Sequence, residues 1–359
     1  SPPEYKYSYG YQNWYPSVEK ETKNTKKNVG LFDLTPFSKF DLKGEGSFDE
    51  LQRICTANIK SINGKTTYTQ ILNKDGGIEI DCTVVCLEKN YFRIISSAAT
   101  RERDKFFILN NISKDIIFED VTDKYCCLGV FGPKSRNLLS KISQDNFSNE
   151  NFKFGTGKFV KINDMKVWAQ RLSYIGEIGF ELYIETLHAK QLYKAIVEEG
   201  NNHNLTHCGM HAMDTMRMEN GFLHWGHDIS PEENQYQAGL DFAISYKKNV
   251  DFLGKEALLK IKDKKNQKKM IMLTLKDKKP GDPLLLHDEP IYLDDRIIGR
   301  TTSGNYSFNF NKNLTFGYVN RDFNNLDTSK HKIYVEVGKV KYEAEYLPKV
   351  LNQNNYKTI

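Results

Sequence analysis

The chain has 359 residues, 39% hydrophobic and 27% charged, with a formal net charge of +5. This length exceeds one ordinary hydrophobic core, so two or three domains of roughly 100–200 residues are expected. No apolar run reaches the roughly 20 residues that cross a bilayer, and no charged-then-apolar signal segment opens the sequence, so no membrane association is expected. The sequence opens at Ser1 without a methionine, as expected of a recombinant product, a processed product or a piece of a longer polypeptide.

The N-terminal residues 1–25 are aromatic and polar without periodicity. They predict an N-terminal arm that packs on something larger, with a cluster of aromatic residues between Tyr5 and Tyr15. From Val29 onward the pattern alternates strands with helical segments, including helices predicted at residues 47–55 and 98–109. This alternation predicts a first α+β domain over residues 26–150.

The turn Asp75-Gly76-Gly77 lies between two apolar segments, residues 68–72 and 82–87. Because glycine adopts positive φ at little cost, this arrangement predicts a β-hairpin. Asp81 would then lie just past the turn, held at the start of a strand in a position suited to chemistry. An acidic residue at a strand start is more often simply solvated, so the hairpin alone leaves both interpretations open.

Residues 151–258 have the pattern of a second α+β domain. Strands are predicted at residues 157–162, 165–173 and 180–184, and helices at residues 188–199 and 209–220. The last segment, residues 259–359, alternates apolar and polar residues, with turns predicted at Pro280-Gly-Asp-Pro, Asp294-Asp295 and Ser303-Gly304. This segment predicts a C-terminal β-barrel or sandwich domain.

Signatures of several cofactors are absent from the sequence. There is no G-x-G-x-x-G after a strand and no G-x-x-x-x-G-K-[ST], so we expect no FAD and no nucleotide on this chain. His203, His207 and His211 recur at spacings of four, as metal ligands on a helix would. Because Cys208-Gly209 interrupts that helix, no metal site is predicted.

Lysines are concentrated in residues 260–279 and include Lys264, Lys265, Lys268 and Lys269. The run has no interleaved aromatic residues or arginine forks, so a solvated helix end is favoured and no nucleic-acid partner is expected. Attraction of an anionic ligand tail is a weaker alternative. The cysteines form no CxxC pair, which favours buried free thiols in a reducing compartment, either the bacterial cytoplasm or the mitochondrial matrix.

The segment from Tyr174 to Tyr183 places a tyrosine before a glycine turn and Glu181 inside the following strand. Burying Glu181 between Phe180 and Leu182 is costly unless its carboxylate meets hydrogen-bond donors. A pteridine ring presents such donors, an amino group beside a ring N–H. A structural ion pair with a nearby cation explains the same residue equally well.

Several motifs follow one another along nearly the whole chain. They are Val29-Gly-Leu-Phe-Asp-Leu, residues 73–81, Gly132-Pro-Lys-Ser, residues 174–183, Met216-Arg-Met-Glu-Asn-Gly, Ala238-Gly-Leu, Phe252-Leu-Gly-Lys-Glu-Ala, and Gly299-Arg-Thr-Thr-Ser-Gly through Gly317-Tyr-Val. In order and spacing these motifs resemble the folate-binding aminomethyltransferase family, which includes the glycine-cleavage T-protein and the C-terminal portion of dimethylglycine and sarcosine dehydrogenases.

The resemblance implies an α+β fold of three domains arranged as a cloverleaf around a central folate cleft, with tetrahydrofolate as cofactor. Asp81 matches the family's essential aspartate, which handles the folate nitrogen during one-carbon transfer. Glu181 matches the carboxylate that holds the pteridine. The other residues assigned to the folate pocket from motif positions are Tyr174, Tyr68, Tyr183, Phe222 and Trp225.

Two segments, residues 32–40 and 220–228, look more like the dehydrogenase portions than like T-protein. Met213 also occupies a position where T-proteins usually carry an arginine. The loss of that cation argues against a glycine-cleavage role. The resemblance therefore implies capture, as methylene-tetrahydrofolate, of the one-carbon unit from oxidative demethylation of an N-methyl amino acid of the dimethylglycine or sarcosine type. A flavoprotein dehydrogenase domain or subunit would supply the oxidation.

Two alternatives remain open from the sequence. One is a standalone aminomethyltransferase or methyltransferase of the T-protein or sulfonium demethylase type. The other is a folate-binding regulatory subunit without turnover.

Overall fold

The structure, a computed structural model, describes residues 4–262, 264, 267–320 and 330–358. The helices are α1 (Tyr15–Lys27), α2 (Ser47–Ile54), α3 (Arg101–Asn111), α4 (Ser135–Ile142), α5 (Ala189–Gly200), α6 (Met210–Glu219), α7 (Gln235–Ala238) and α8 (Lys255–Lys262). Within these described ranges, none of the helices has the length and apolar character needed to span a membrane. Lys265, in the predicted solvated helix end, lies outside the described residues.

The strands belong to two sheets and a barrel. They are β1 (Val29–Asp33), β2 (Ser38–Lys43), β3 (Thr66–Leu72), β4 (Ile78–Glu88), β5 (Tyr91–Ser96), β6 (Ile117–Asp120), β7 (Tyr125–Phe131), β8 (Thr156–Ile162), β9 (Met165–Arg171), β10 (Gly179–Glu185), β11 (Leu205–Cys208), β12 (Lys269–Leu275), β13 (Pro290–Leu293), β14 (Arg296–Ser307), β15 (Lys312–Val319), β16 (Ile333–Val337) and β17 (Val340–Tyr346).

The first sheet has six strands in the order β11-β1-β7-β10-β9-β8, and its β1–β11 pair is parallel. Successive side chains of a strand point to opposite faces of the sheet. One face packs against α4 and α5 through residues such as Leu138, Phe180 and Ile196. The sheet combines strands that precede residue 150 in sequence, the expected domain boundary, with strands that come after it. β1 pairs with β11, and β7 pairs with β10.

The second sheet has five strands in the order β3-β4-β5-β2-β6. Its outer face is covered by α2 and α3, with Leu51, Ile80 and Ile108 in the shared core. β3 and β4 form the predicted hairpin, and Gly76 in its turn has φ of +86°. The sequence prediction is confirmed here because the turn residues and the apolar alternation favour the same structure.

The remaining faces of the two sheets pack against each other. Val85 of the second sheet shares a hydrophobic cluster with Cys127, Trp168 and Tyr183 of the first, and Met213 of α6 closes one end. Asp81 lies on the same face of β4 as Val85, four residues away, and Glu181 lies on the same face of β10 as Tyr183. Both acidic side chains therefore belong to the faces between the two sheets.

The C-terminal strands form a closed barrel in the order β12-β15-β14-β13-β16-β17. This confirms the predicted α+β class with a C-terminal barrel. The turn predicted at Ser303-Gly304 is wrong: both residues lie inside β14, where the pairing with β15 shifts between Thr301 and Gly304. A glycine at a β-bulge has the same sequence signal as a glycine in a turn, which explains the error.

Helix α1 begins at Tyr15, inside the segment that the sequence analysis describes as an arm without periodicity. Its inner face consists of Tyr15, Val18, Thr22 and Thr25. Because half of these buried positions are threonines, the helical period is not visible as a hydrophobic pattern. Upstream of the helix, the Trp14 ring stacks on His211 with the ring centroids 5.3 Å apart, so this segment packs on its own chain.

Candidate functional site

Asp81 lies half-buried between the two sheets, opposite Gln70 in the β3–β4 hairpin. Its Oδ1 accepts a hydrogen bond of 2.7 Å from Gln70 Nε2, and the Tyr68 hydroxyl also hydrogen-bonds to the carboxylate. Burial raises the pKa of Asp81 to about 6, although the bonds from Gln70 and Tyr68 lower it. The carboxylate is therefore a base that changes protonation state close to neutral pH.

Glu181 lies half-buried on the facing sheet, in β10. Its Oε2 accepts a 2.7 Å hydrogen bond from the Tyr183 hydroxyl. Burial raises the pKa of Glu181 to about 7, whereas Tyr183 and the more distant Lys39 ammonium lower it. Lys39 is itself buried and donates to the carbonyls of Thr35 (2.9 Å) and Phe37 (2.8 Å), so the predicted alternative of a direct ion pair for Glu181 is not what the structure has.

Tyr174 and Phe222 form an aromatic pair beside α6. Their rings are stacked, with centroids 6.1 Å apart, and the Tyr174 hydroxyl donates to the Leu223 carbonyl at 2.8 Å. Burial raises the pKa of Tyr174, and the negative charge of Asp81 adds to the effect. This electrostatic interaction shows that the aromatic pair and Asp81 share one region of the protein.

Tyr68 and Trp225, two further aromatic residues predicted for the pocket, have different neighbours. The Tyr68 ring stacks on Phe242 with centroids 6.2 Å apart, and its hydroxyl bonds to Asp81. Trp225 donates from Nε1 to the Ile78 carbonyl at 3.0 Å, and the Arg103 guanidinium lies 4.7 Å from its ring centroid. Trp225 thus packs against the start of β4, apart from the pair formed by Tyr174 and Phe222.

The structure brings the predicted residues together in three groups. Asp81 is joined to Tyr68, Glu181 is joined to Tyr183, and Tyr174 is stacked on Phe222. Sequence reasoning missed Gln70 and Phe242. Gln70 could have been found, because the turn fixes the hairpin register and places it opposite Asp81.

The three histidines at spacings of four lie in different elements. His203 belongs to a short 3₁₀ turn, His207 to β11 and His211 to α6, so no single face presents them. In the part of the chain that the structure describes, no group of three or more His, Cys, Asp or Glu side chains is arranged to hold a metal ion. All six cysteines are free thiols, and Cys208 is the one among them that is only partly buried.

Known protein families match the chain over most of its length. Residues 2–248 match the GCVT N-terminal domain, and residues 268–352 match the glycine cleavage T-protein C-terminal barrel domain. Among solved structures, the glycine cleavage system aminomethyltransferase T from Bartonella henselae superposes with a TM-score of 0.82 at 20% identity, covering 97% of this chain and 93% of the other. That likeness shows the fold.

Curated relatives fall into two groups. The 4-methylaminobutanoate oxidase (formaldehyde-forming) of Paenarthrobacter nicotinovorans is 39% identical over 85% of this chain, and the mitochondrial dimethylglycine dehydrogenase of Rattus norvegicus is 34% identical over 88%. The chain spans 37% of the length of each. The aminomethyltransferase of Halothermothrix orenii is 31% identical over 86% of this chain and 85% of its own. The chain therefore belongs to the folate-dependent aminomethyltransferase family and is related to demethylating oxidases.

Proposed function

We propose that this chain transfers a one-carbon unit to tetrahydrofolate, capturing the methylene or formaldehyde unit released by oxidative demethylation of an N-methyl amino acid. The observation that carries the proposal is a pair of half-buried carboxylates, Asp81 and Glu181, on the faces of two sheets that pack together. Burying a carboxylate is costly, and carboxylates whose pKa is raised by burial in this way are characteristic of functional sites.

Glu181 fits the role of holding the pteridine. Among the described residues, its carboxylate accepts one hydrogen bond, from Tyr183, and the residue keeps part of its surface exposed. An ionised carboxylate can accept several further hydrogen bonds, and the amino group and ring N–H of a pteridine are donors of that kind. Tyr174 and Phe222 offer aromatic surface for the same ligand, and Tyr68 lies beside Asp81 in the candidate pocket.

Tetrahydrofolate, when bound, supplies the nitrogen nucleophiles to which the one-carbon unit is attached. Asp81 is suited to orient such a nitrogen and to accept its proton, because the hydrogen bond from Gln70 to Oδ1 fixes the orientation of the carboxylate. General-base help of this kind contributes typically 10²–10⁴-fold to a rate. The product of the transfer would be methylene-tetrahydrofolate.

Oxidation of the amine requires a flavoprotein partner, supplied as another domain or as a subunit. Two observations support this: the chain spans only 37% of the oxidase and dehydrogenase relatives, and no nucleotide-binding fingerprint occurs in its sequence. A standalone aminomethyltransferase is the second candidate, since the Halothermothrix relative is matched over 85% of its own length.

Calorimetric titration with tetrahydrofolate tests the pocket. We expect the native chain to bind and Glu181→Ala to lose affinity at least about tenfold, because the ligand donors would lose a charged acceptor. Glu185→Ala, an exposed residue of the same strand, is the control and is expected to bind normally. Equal affinity in Glu181→Ala and the native chain would contradict the assignment of Glu181.

The rate of transfer should depend on pH through Asp81. A base acts in its ionised form, and the pKa of this carboxyl is raised to about 6. Transfer is therefore expected at full rate above pH 7 and to fall about tenfold per pH unit below 6. Single-turnover rates between pH 5 and 8 measure this limb, and a rate independent of pH over that interval would exclude Asp81 as the base.

A further inference from the structure

A chain of buried hydrogen bonds continues behind Asp81. Gln70, which donates to Asp81, accepts at Oε1 a 2.5 Å hydrogen bond from Gln235 Nε2. The same Gln235 Nε2 donates to Thr56 Oγ1 at 3.1 Å, and Thr56 Oγ1 donates to the Ala243 carbonyl at 3.1 Å. Gln70, Gln235 and Thr56 have no exposed surface. Among the described residues, Gln235 Oε1 has no hydrogen-bond partner, so the amide of Gln235 is held through its nitrogen.

The directions of these bonds are consistent with one another. The Thr56 hydroxyl donates to the Ala243 carbonyl, and its oxygen accepts from Gln235 Nε2 and, at 3.4 Å, from the Gln70 backbone N–H, while Thr69 Oγ1 lies 3.3 Å away. Gln235 then presents its N–H₂ group to Gln70 as well. Because the Gln70 oxygen is taken by that donor, its own N–H₂ group faces Asp81.

We propose that Gln235 is a positioning residue that fixes the orientation of the Gln70 amide and so keeps an N–H donor on the Asp81 carboxylate. The inference rests on the proposed role of Asp81 as the proton acceptor. Gln235 itself does not touch the carboxylate. It prevents the Gln70 amide from turning its oxygen toward Asp81. In that orientation the Gln70 oxygen and the ionised Asp81 carboxylate, which are both acceptors, would face each other and repel.

The segment that carries Gln235 is well placed for this role. Gln235 is the first residue of α7, which Asn234 caps through a reciprocal capping box with Gln237. Further along the same segment, Phe242 stacks on Tyr68, the second hydrogen-bond donor to Asp81. Residues 235–242 thus contact both Gln70 and Tyr68, the two side chains that interact with the carboxylate.

The pKa of Asp81 can be measured without interference from the titratable groups that interact with it. Among the described residues, the titratable side chains that interact electrostatically with it are Tyr68 on β3, Tyr174 after β9 and the neighbouring Cys82. The pKa of each is raised, so all three stay neutral while Asp81 titrates near pH 6. A change in the titration of Asp81 then reports its hydrogen bonds.

The test measures the pKa of Asp81 in the ligand-free chain by a pH titration, with NMR detection of ¹³C-labelled aspartate carboxyl groups. The Asp81 signal is the one that disappears in Asp81→Asn. In Gln235→Met, which keeps the shape and removes the donor, we expect the pKa to rise by about one pH unit, because the ionised form loses a fixed donor. Thr56→Val, one link further back, is expected to raise it in the same direction by less.

Gln52→Met is the matched control, since Gln52 is also buried and its amide both donates to and accepts from the backbone of Ile59, with no bond to Asp81 or Gln70 among the described residues. An unchanged pKa in both Gln235→Met and Thr56→Val overturns the proposal, as does an equal rise in Gln52→Met. If Gln235→Met does not fold, Thr56→Val decides.

The turnover of Asp81→Asn, measured separately, tests the proposed function. An unchanged pKa in Gln235→Met together with an inactive Asp81→Asn overturns the positioning role alone. A raised pKa together with an active Asp81→Asn overturns the proposed base alone.

Discussion

Replacing Asp81 by asparagine is expected to lower one-carbon transfer by about 10²–10⁴-fold while tetrahydrofolate still binds. Asparagine has nearly the same shape, and its amide oxygen can still accept the 2.7 Å hydrogen bond from Gln70. It is not a base, so a proton leaving the folate nitrogen would have no acceptor at this position. The loss should therefore appear in the rate of transfer and not in the affinity.

The measurement compares two products in the presence of the flavoprotein partner and an N-methyl amino acid. In the native chain we expect methylene-tetrahydrofolate, and in Asp81→Asn we expect free formaldehyde at an unchanged rate of amine oxidation. Asp75→Asn is the control, because Asp75 is an exposed aspartate in the turn of the same hairpin. Full transfer by Asp81→Asn would contradict the role of Asp81 as the proton acceptor.

Short-range features of the fold could be predicted from sequence because their determinants are local. The β3–β4 hairpin follows from Asp75-Gly76-Gly77 and the alternation on either side, and its register places Gln70 opposite Asp81. The predicted helices around residues 47–55 and 188–199 correspond to α2 and α5. In both helices the hydrophobic period of the sequence matches the buried face, which includes Leu51 and Ile54 in α2 and Leu192 and Ile196 in α5.

Long-range features could not be predicted from one sequence. Gln235 lies 165 positions from Gln70, and no local pattern indicates that their amides meet. The parallel pairing of β1 with β11 joins residues about 175 positions apart and makes one sheet from segments on both sides of the expected boundary at residue 150. Helix α1 was missed for a different reason, because threonines occupy half of its buried face.

Removal of Asp228 is expected to destabilise the protein by about 3–5 kcal/mol, because it leaves a buried guanidinium without its closest counter-ion. The Arg217 and Asp228 side chains are 1% and 0% exposed, and Arg217 Nη1 lies 2.6 Å from Asp228 Oδ2. Arg217 also donates from Nη2 to Ser303 Oγ at 2.8 Å, and Thr302 Oγ1 donates to Asp228 Oδ1 at 2.6 Å. The pair therefore joins α6 to strand β14 of the barrel.

Asp228→Ala removes one side of this connection while Arg217 keeps its bond to Asp214, which is partly exposed and cannot replace the loss. Urea unfolding should show a lower midpoint for Asp228→Ala. Asp251→Ala, which breaks an exposed ion pair with Lys255, should cost at most about 1 kcal/mol. Equal midpoints for the two variants would contradict the structural role of the pair.

Folate affinity should fall in the same variant, for a geometric reason. The Arg217 Nη1 that bonds to Asp228 also donates to the Phe222 carbonyl at 2.9 Å, and Asp228 accepts from the His224 amide at 2.9 Å. These bonds hold the loop that presents Phe222 to Tyr174. Asp228→Ala therefore tests whether the buried pair that joins the barrel to α6 also shapes the aromatic side of the candidate pocket. Calorimetric titration without urea, at a temperature where the variant is fully folded, separates a loss of folate affinity from the loss of folding stability.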